Sequence, residues 1–161
     1  MTEPKSPASR RNALIAAAAA LAIPAEGMRQ LAYRDPPNVL TVCYGHTGGV
    51  DPTRQYSVAE CRTLLDADMA QAVDAVLRCA PGVPDSVAVA FSDAVYNLGP
   101  TVACDRTNST AARLLATKQW RQACEQLPRW DKARVGGQLV ALPGLTKRRA
   151  VEREVCMAGL S

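Results

Sequence analysis

Six cysteines spread over most of the chain constrain its fold more than any other feature. Cys43, Cys61, Cys79, Cys104, Cys124 and Cys156 form no Cys-x-x-Cys pair, and the chain has a single histidine. Zinc sites need clustered Cys and His ligands, so neither a metal nor a cofactor is expected. An even, dispersed set fits three disulfides made in an oxidising compartment better than six reduced core thiols. Fifteen connectivities are open to six cysteines. Cys124–Cys156, both at helical positions, and Cys79–Cys104, both near loops, are the pairs expected first.

The length of 161 residues is that of one domain with a real core. Aromatics are only 4%, so the core must be built mostly from Leu, Val and Ala, which favours helices over a large β-sandwich. Hydrophobic residues at 48% and charged residues at 21% make disorder and a polytopic membrane protein poor readings. The net charge of +4 is uneven: +2 over residues 1–11, −4 over 12–100 and +6 over 101–161. A basic C-terminal part suits an anionic polymer such as nucleic acid or a bacterial cell wall, or is simply a solvated surface.

Near the N-terminus, Arg10 and Arg11 precede an uncharged run of 13 residues, Ala13 to Ala25, that stops at Glu26. A basic flank followed by an apolar run is the pattern of an export signal with its N-terminus in the cytoplasm. The run covers roughly 20 Å of a hydrocarbon core near 30 Å thick, and alanine buries little apolar area, so a bilayer would hold it weakly. Three readings stand: a signal peptide cleaved near Ala20-Leu21-Ala22, an uncleaved anchor that later leaves the membrane, or an alanine-rich first helix of a soluble protein.

Further along, residues 26–34 read as a helical continuation with Met28, Leu31 and Ala32 on one side, broken by Pro36-Pro37. Val39 to Tyr44 is a short β-branched run, followed by a Gly48-Gly49 turn. Ser57-Val58-Ala59-Glu60 has the form of a capping box and predicts a long helix to about Arg78. Asp85 is placed to cap the next helix, which stops at Gly99-Pro100. Shorter helices are expected over 109–117 and 118–127. Gly136-Gly137 reads as a loop, and Thr146 as the opening of a basic helix to about Met157. The fold class is therefore α+β: a small β element near the N-terminus, then an all-helical lobe.

Glu26, Asp35 and Thr41 carry the candidate chemistry. Glu26 is expected at a helix, Asp35 in a loop and Thr41 in a strand, and folding these back on one another places two carboxylates on opposite walls of one cleft. Glycoside hydrolysis needs that pair: one carboxyl that keeps its proton for the leaving oxygen and one ionised carboxylate opposite. The Thr41 hydroxyl is suited to hold a water beside Asp35. Spacing alone leaves solvated surface carboxylates as the commoner outcome.

The surrounding residues are more specific. Glu26-Gly27-x-Arg29-x3-Tyr33-x-Asp35 with Thr41-Val42-x-Tyr44-Gly45-His46-Thr47-Gly48 resembles the phage-type lysozymes of glycoside hydrolase family 24. The likeness continues through Ser57-x2-Glu60-Cys61, Leu64-Leu65, Asp68, Val95-Tyr96-Asn97-Leu98-Gly99 and Arg129-Trp130. It closes on Gly144-Leu145-x2-Arg148-Arg149-x2-Glu152-Arg153. The resemblance implies a lysozyme-like fold, with a small β-sheet lobe and a larger helical lobe joined by a long helix. It implies an endolysin muramidase, cutting the β-1,4 bond between N-acetylmuramic acid and N-acetylglucosamine in peptidoglycan for host-cell lysis and phage release.

By the same resemblance Glu26 is the general acid, and Asp35 and Thr41 position and activate the water. Arg148 pairs with the catalytic Glu, His46 pairs with Asp68 on the long helix, and Tyr44 and the loop after Gly99 line the saccharide groove. Trp120 and Trp130 are expected in the core. The cysteine contexts are similar to those of lambdoid-phage signal-anchor-release endolysins. That implies two regions, a tethering segment over residues 1–25 and a catalytic domain over 26–161. The enzyme is then expected to be a monomer held inactive in the host inner membrane and active in the periplasm. Cytoplasmic accumulation with holin-dependent release is the alternative. A lytic transglycosylase would use Glu26 alone, whereas Asp35 with Thr41 points to delivery of water. A non-catalytic wall-binding protein would not need all three residues. Nucleic acid is not an expected partner, because no aromatic interleaving accompanies the basic residues.

Overall fold

The computed structural model describes residues 3–160. Helix α1 (Pro7–Ala22) starts at Ser6, whose hydroxyl accepts from Ser9 N–H, and carries proline in its first turn. It buries Leu14, Ala18, Ala19 and Ala22. These recur at helical spacing, and small side chains let the helix lie close on its neighbours. The chain then turns: Ala25 and Glu26 N–H both donate to the Ala22 carbonyl, at 3.0 and 2.9 Å.

The next element is a strand, not the helical continuation expected over 26–34. Strand β1 (Arg29–Arg34) pairs antiparallel with β2 (Leu40–Cys43), Tyr33 opposite Thr41 and Arg34 opposite Leu40. Pro24 and Gly27 break the helix, and pairing with the β-branched strand then outweighs the local helical pattern. Leu31 and Met28, expected on one side of a helix, are exposed.

Helix α2 (Val58–Cys79) opens on the expected capping box: Glu60 N–H donates to Ser57 Oγ at 3.0 Å and Ser57 N–H to Glu60 Oε2 at 2.7 Å. At about 1.5 Å per residue it runs some 33 Å, and it joins the β element to the helical lobe. Helix α3 (Asp85–Leu98) is buried on nearly every side, from Val87 to Val95, and packs against α1 and α2. Asp85 is its first residue and not its cap, which is Pro84. The Asp85 carboxylate instead accepts from Arg10 Nε at 2.7 Å.

Short helices α4 (Thr101–Cys104), α5 (Thr110–Ala116) and α6 (Trp120–Gln126) lead to a single 3-10 turn at Leu127–Trp130. Trp120 and Trp130 are partly buried against the core. The loop expected at Gly136-Gly137 is the tip of a second hairpin, β3 (Lys132–Val135) with β4 (Gln138–Ala141), so the second lobe is not wholly helical. Both glycines have positive φ, 58° and 81°, which a two-residue hairpin turn requires. Helix α7 (Pro143–Ala158) begins three residues before Thr146, because Pro143 suits the first helical position. It packs on α3.

Three disulfides staple the elements. Cys79–Cys104 and Cys124–Cys156 are the two pairs expected, and Cys43–Cys61 ties β2 to α2. The fold is α+β, with a small β element, a larger helical lobe and a long helix between them.

Candidate active site

Glu26, Asp35 and Thr41 meet in one cleft of about 760 Å³, with Tyr44, His46, Asp68, Tyr96 and Asn97 also in its walls. Each is brought there by a different element. Glu26 hangs in the turn after α1, not on a helix. Beside it Gly45, at φ +83°, has its missing Cβ position 3.7 Å from Glu26 Oε2. Only glycine takes that backbone conformation freely.

Asp35 begins the five-residue loop of the first hairpin. Its N–H donates to the Val39 carbonyl at 3.1 Å, and its Oδ1 accepts from Val39 N–H at 2.8 Å. One carboxylate oxygen is thus committed to the turn. Thr41, 3% exposed, donates its hydroxyl proton to the Val39 carbonyl at 2.9 Å, so its oxygen faces other partners as an acceptor.

His46 and Asp68 form the expected pair: Nδ1 lies 2.6 Å from Asp68 Oδ2, and Nε2 lies 2.5 Å from the Gly48 carbonyl. The contact fastens the segment after β2 to α2. Arg148 does reach Glu26, with Nη1 2.5 Å from Oε1. Burial alone would weaken the charge on Arg148, but Asp93 and Glu26 outweigh it and hold the guanidinium charged.

Asp93 escaped the sequence reading, which quoted Arg149, Glu152 and Tyr96 in its motifs without giving them a role. Asp93 on α3, fully buried, takes Arg148 Nε on Oδ2 at 3.0 Å and Nη2 on Oδ1 at 2.7 Å. Behind it, Arg149 and Glu152 are also fully buried, paired through Nη2 and Oε1 at 2.5 Å. Burial, with the nearby Asp93 carboxylate, pushes the Glu152 carboxyl up to about 9 against the pull of Arg149. An ionised Glu152 would leave Oε2 as a bare buried charge, since that oxygen has no hydrogen-bond partner. Tyr96 donates its hydroxyl to the Tyr44 carbonyl. Burial first, then the carboxylates of Glu26 and Asp68, keep that phenol protonated well above its ordinary range. An aspartate inside an apolar helix, Phe91-Ser92-Asp93-Ala94-Val95, was the one available signal for Asp93.

A small β lobe, a long helix and a helical lobe around one cleft make this a lysozyme-like body. The family model described as phage lysozyme matches residues 24–152. The chain belongs to the phage lysozyme family and is a muramidase-type lysis enzyme. The SAR-endolysin of bacteriophage PS119 is 38% identical over 138 residues, covering 83% of this chain and 77% of that protein. The SAR-endolysin of enterobacteria phage P21 is 34% identical over the same length, covering 83% and 78%. The active form of the P1 phage endolysin Lyz has the same fold, with a TM-score of 0.77 at 22% identity over 98% of this chain and 96% of that one. Against the secreted inactive form of the same P1 protein the TM-score is 0.53, over 71% of this chain and 77% of that one.

Proposed function

We propose that the enzyme hydrolyses the β-1,4 bond between N-acetylmuramic acid and N-acetylglucosamine by single displacement with inversion. Glu26 gives its proton to the leaving oxygen. Asp35 and Thr41 hold the attacking water on the other side of the sugar. The observation that carries this reading is the meeting of these three side chains in one cleft. Thr41 has already spent its hydroxyl proton on Val39. A water there donates one hydrogen to Thr41 Oγ1 and the other to the free oxygen of Asp35, which leaves a lone pair aimed at the anomeric carbon. Digestion of purified peptidoglycan by the oxidised protein, with products identified by mass spectrometry, tests it. Reducing N-acetylmuramic ends are expected from wild type, and a fall of at least a hundredfold for Glu26→Gln. Anhydro ends would overturn hydrolysis in favour of transglycosylation.

The segment 1–25 is proposed as a transient tether to the inner membrane and 26–161 as the catalytic domain, the two leaving together for the periplasm as a monomer. No helix among the described residues is long and apolar enough to cross a membrane. A weakly held run that leaves the bilayer intact suits a tether of this kind. Support comes from the basic flank: Arg10 bonds Asp85, and Arg11 clamps Asp74 through Nε and Nη2 at 2.7 and 2.8 Å. Residues that would hold the segment on the cytoplasmic side thus have partners on the enzyme body once it docks. Glu26 directly follows the run, so tethering keeps it at the lipid interface, away from Arg148. Pulse–chase fractionation with intact-mass measurement tests this: protein appears first in the membrane, then in the soluble periplasm with residues 1–25 retained. Loss of those residues would make the segment a cleaved export signal, and cytoplasmic accumulation would favour holin-dependent release.

A further inference from the structure

An acid that works by giving up a proton is here hydrogen-bonded to a guanidinium, which by itself favours the carboxylate form. The residues behind Arg148 answer that conflict. Both oxygens of Asp93 grip Arg148, at Nε and Nη2, in the two-bond fork that fixes a guanidinium plane. Nη1, outside that fork, reaches Glu26. We propose that Asp93 is a positioning residue of the hydrolysis: it fixes the guanidinium plane of Arg148, aims Nη1 at Glu26 and balances the charge of Arg148 from behind. The inference rests on the reading of Glu26 as the acid.

The other charged or titratable groups around this line come from three directions. Arg149 and Glu152 lie on α7 itself, with Glu152 Oε1 3.8 Å from Arg148 Nε. From α3 comes Tyr96, already bonded to the Tyr44 carbonyl. Asp35, His46 and Asp68 stand in the cleft walls with Glu26. Among the described residues the charged side chains of α6 and the 3-10 turn, Arg121, Glu125 and Arg129, are exposed and face away. Asp93 is therefore the group that makes both hydrogen bonds balancing Arg148 from behind.

The experiment compares pH profiles and kinetic constants of wild type, Asp93→Asn and Glu152→Gln on soluble peptidoglycan strands. Asparagine keeps the size of Asp93 but removes its charge and one acceptor. The expected result is a kcat lower by roughly tenfold or more with KM within about twofold, since aim is lost and binding is not. The alkaline limb of the activity profile should move down by about one pH unit, because an unbalanced Arg148 favours ionised Glu26. Glu152→Gln, which lies beside the fork but accepts neither of the two hydrogen bonds that join Asp93 to Arg148, should leave the limb in place. An unchanged limb in Asp93→Asn, or equal losses from both variants, would overturn the inference while leaving wild-type hydrolysis intact. Wild type without hydrolytic activity would remove the reading of Glu26, and the inference with it. Should Asp93→Asn fail to fold, Arg148→Lys decides: lysine keeps the charge but cannot make the fork, so full activity in that variant overturns the proposal.

Discussion

Glu152 shows how much a single buried carboxyl sets the behaviour of its surroundings. Its folded value of about 9 stands far above the ordinary 4.5. The native state therefore keeps a proton that the unfolded chain releases. The contribution is complete below about pH 4.5 and is lost as the pH climbs towards 9, at up to ~1.4 kcal/mol per pH unit. Denaturant unfolding at several pH values should show wild-type stability declining across that window, and a flatter profile for Glu152→Gln. Parallel profiles would mean that Glu152 is ionised in the fold. At this scale the sequence was legible where the candidate residues follow a short motif: Glu26, Asp35 and Thr41 do line one cleft. Asp93 was not legible, because its partner Arg148 lies 55 residues away and only the packing of α3 on α7 joins them.

At the scale of elements, α1 combines two demands. The proposed tether asks the alanine run to enter a bilayer weakly, and the fold asks it to lie flush on α2 and α3. Ala18 and Ala19 are fully buried. Ala18→Leu raises the hydropathy of the run while overfilling its seat, so it should cost about 1–3 kcal/mol in thermal unfolding. Activity should fall with it, since Glu26 hangs from the end of that helix. A substitution that left both stability and activity unchanged would show that α1 docking does not place the acid. The capping box of α2 was readable because its two hydrogen bonds are made within four residues. Strand β1 reads locally as helix because its true conformation depends on β2. The second hairpin leaves little trace in the sequence because its strands are four residues each, with little alternation.

For the whole molecule, the disulfides close loops of 18, 25 and 32 residues and link β2 to α2, α2 to α4, and α6 to α7. Cross-links of that span contribute typically about 2–4 kcal/mol each by restricting the unfolded chain. Calorimetry with and without reductant should show a marked fall in melting temperature on reduction, and an unchanged value would mean that the core alone carries the fold. The cysteine count, the helix-forming composition, the capping signals and the spacing of Glu26, Asp35 and Thr41 can be read without the fold, and the sequence by itself determined them. The tertiary structure alone decided the strand at residues 29–34, the seat of α1, and the grip of Asp93 on Arg148. Each of these depends on contacts between segments far apart in the chain, whose free energy exceeds the local preference of either segment.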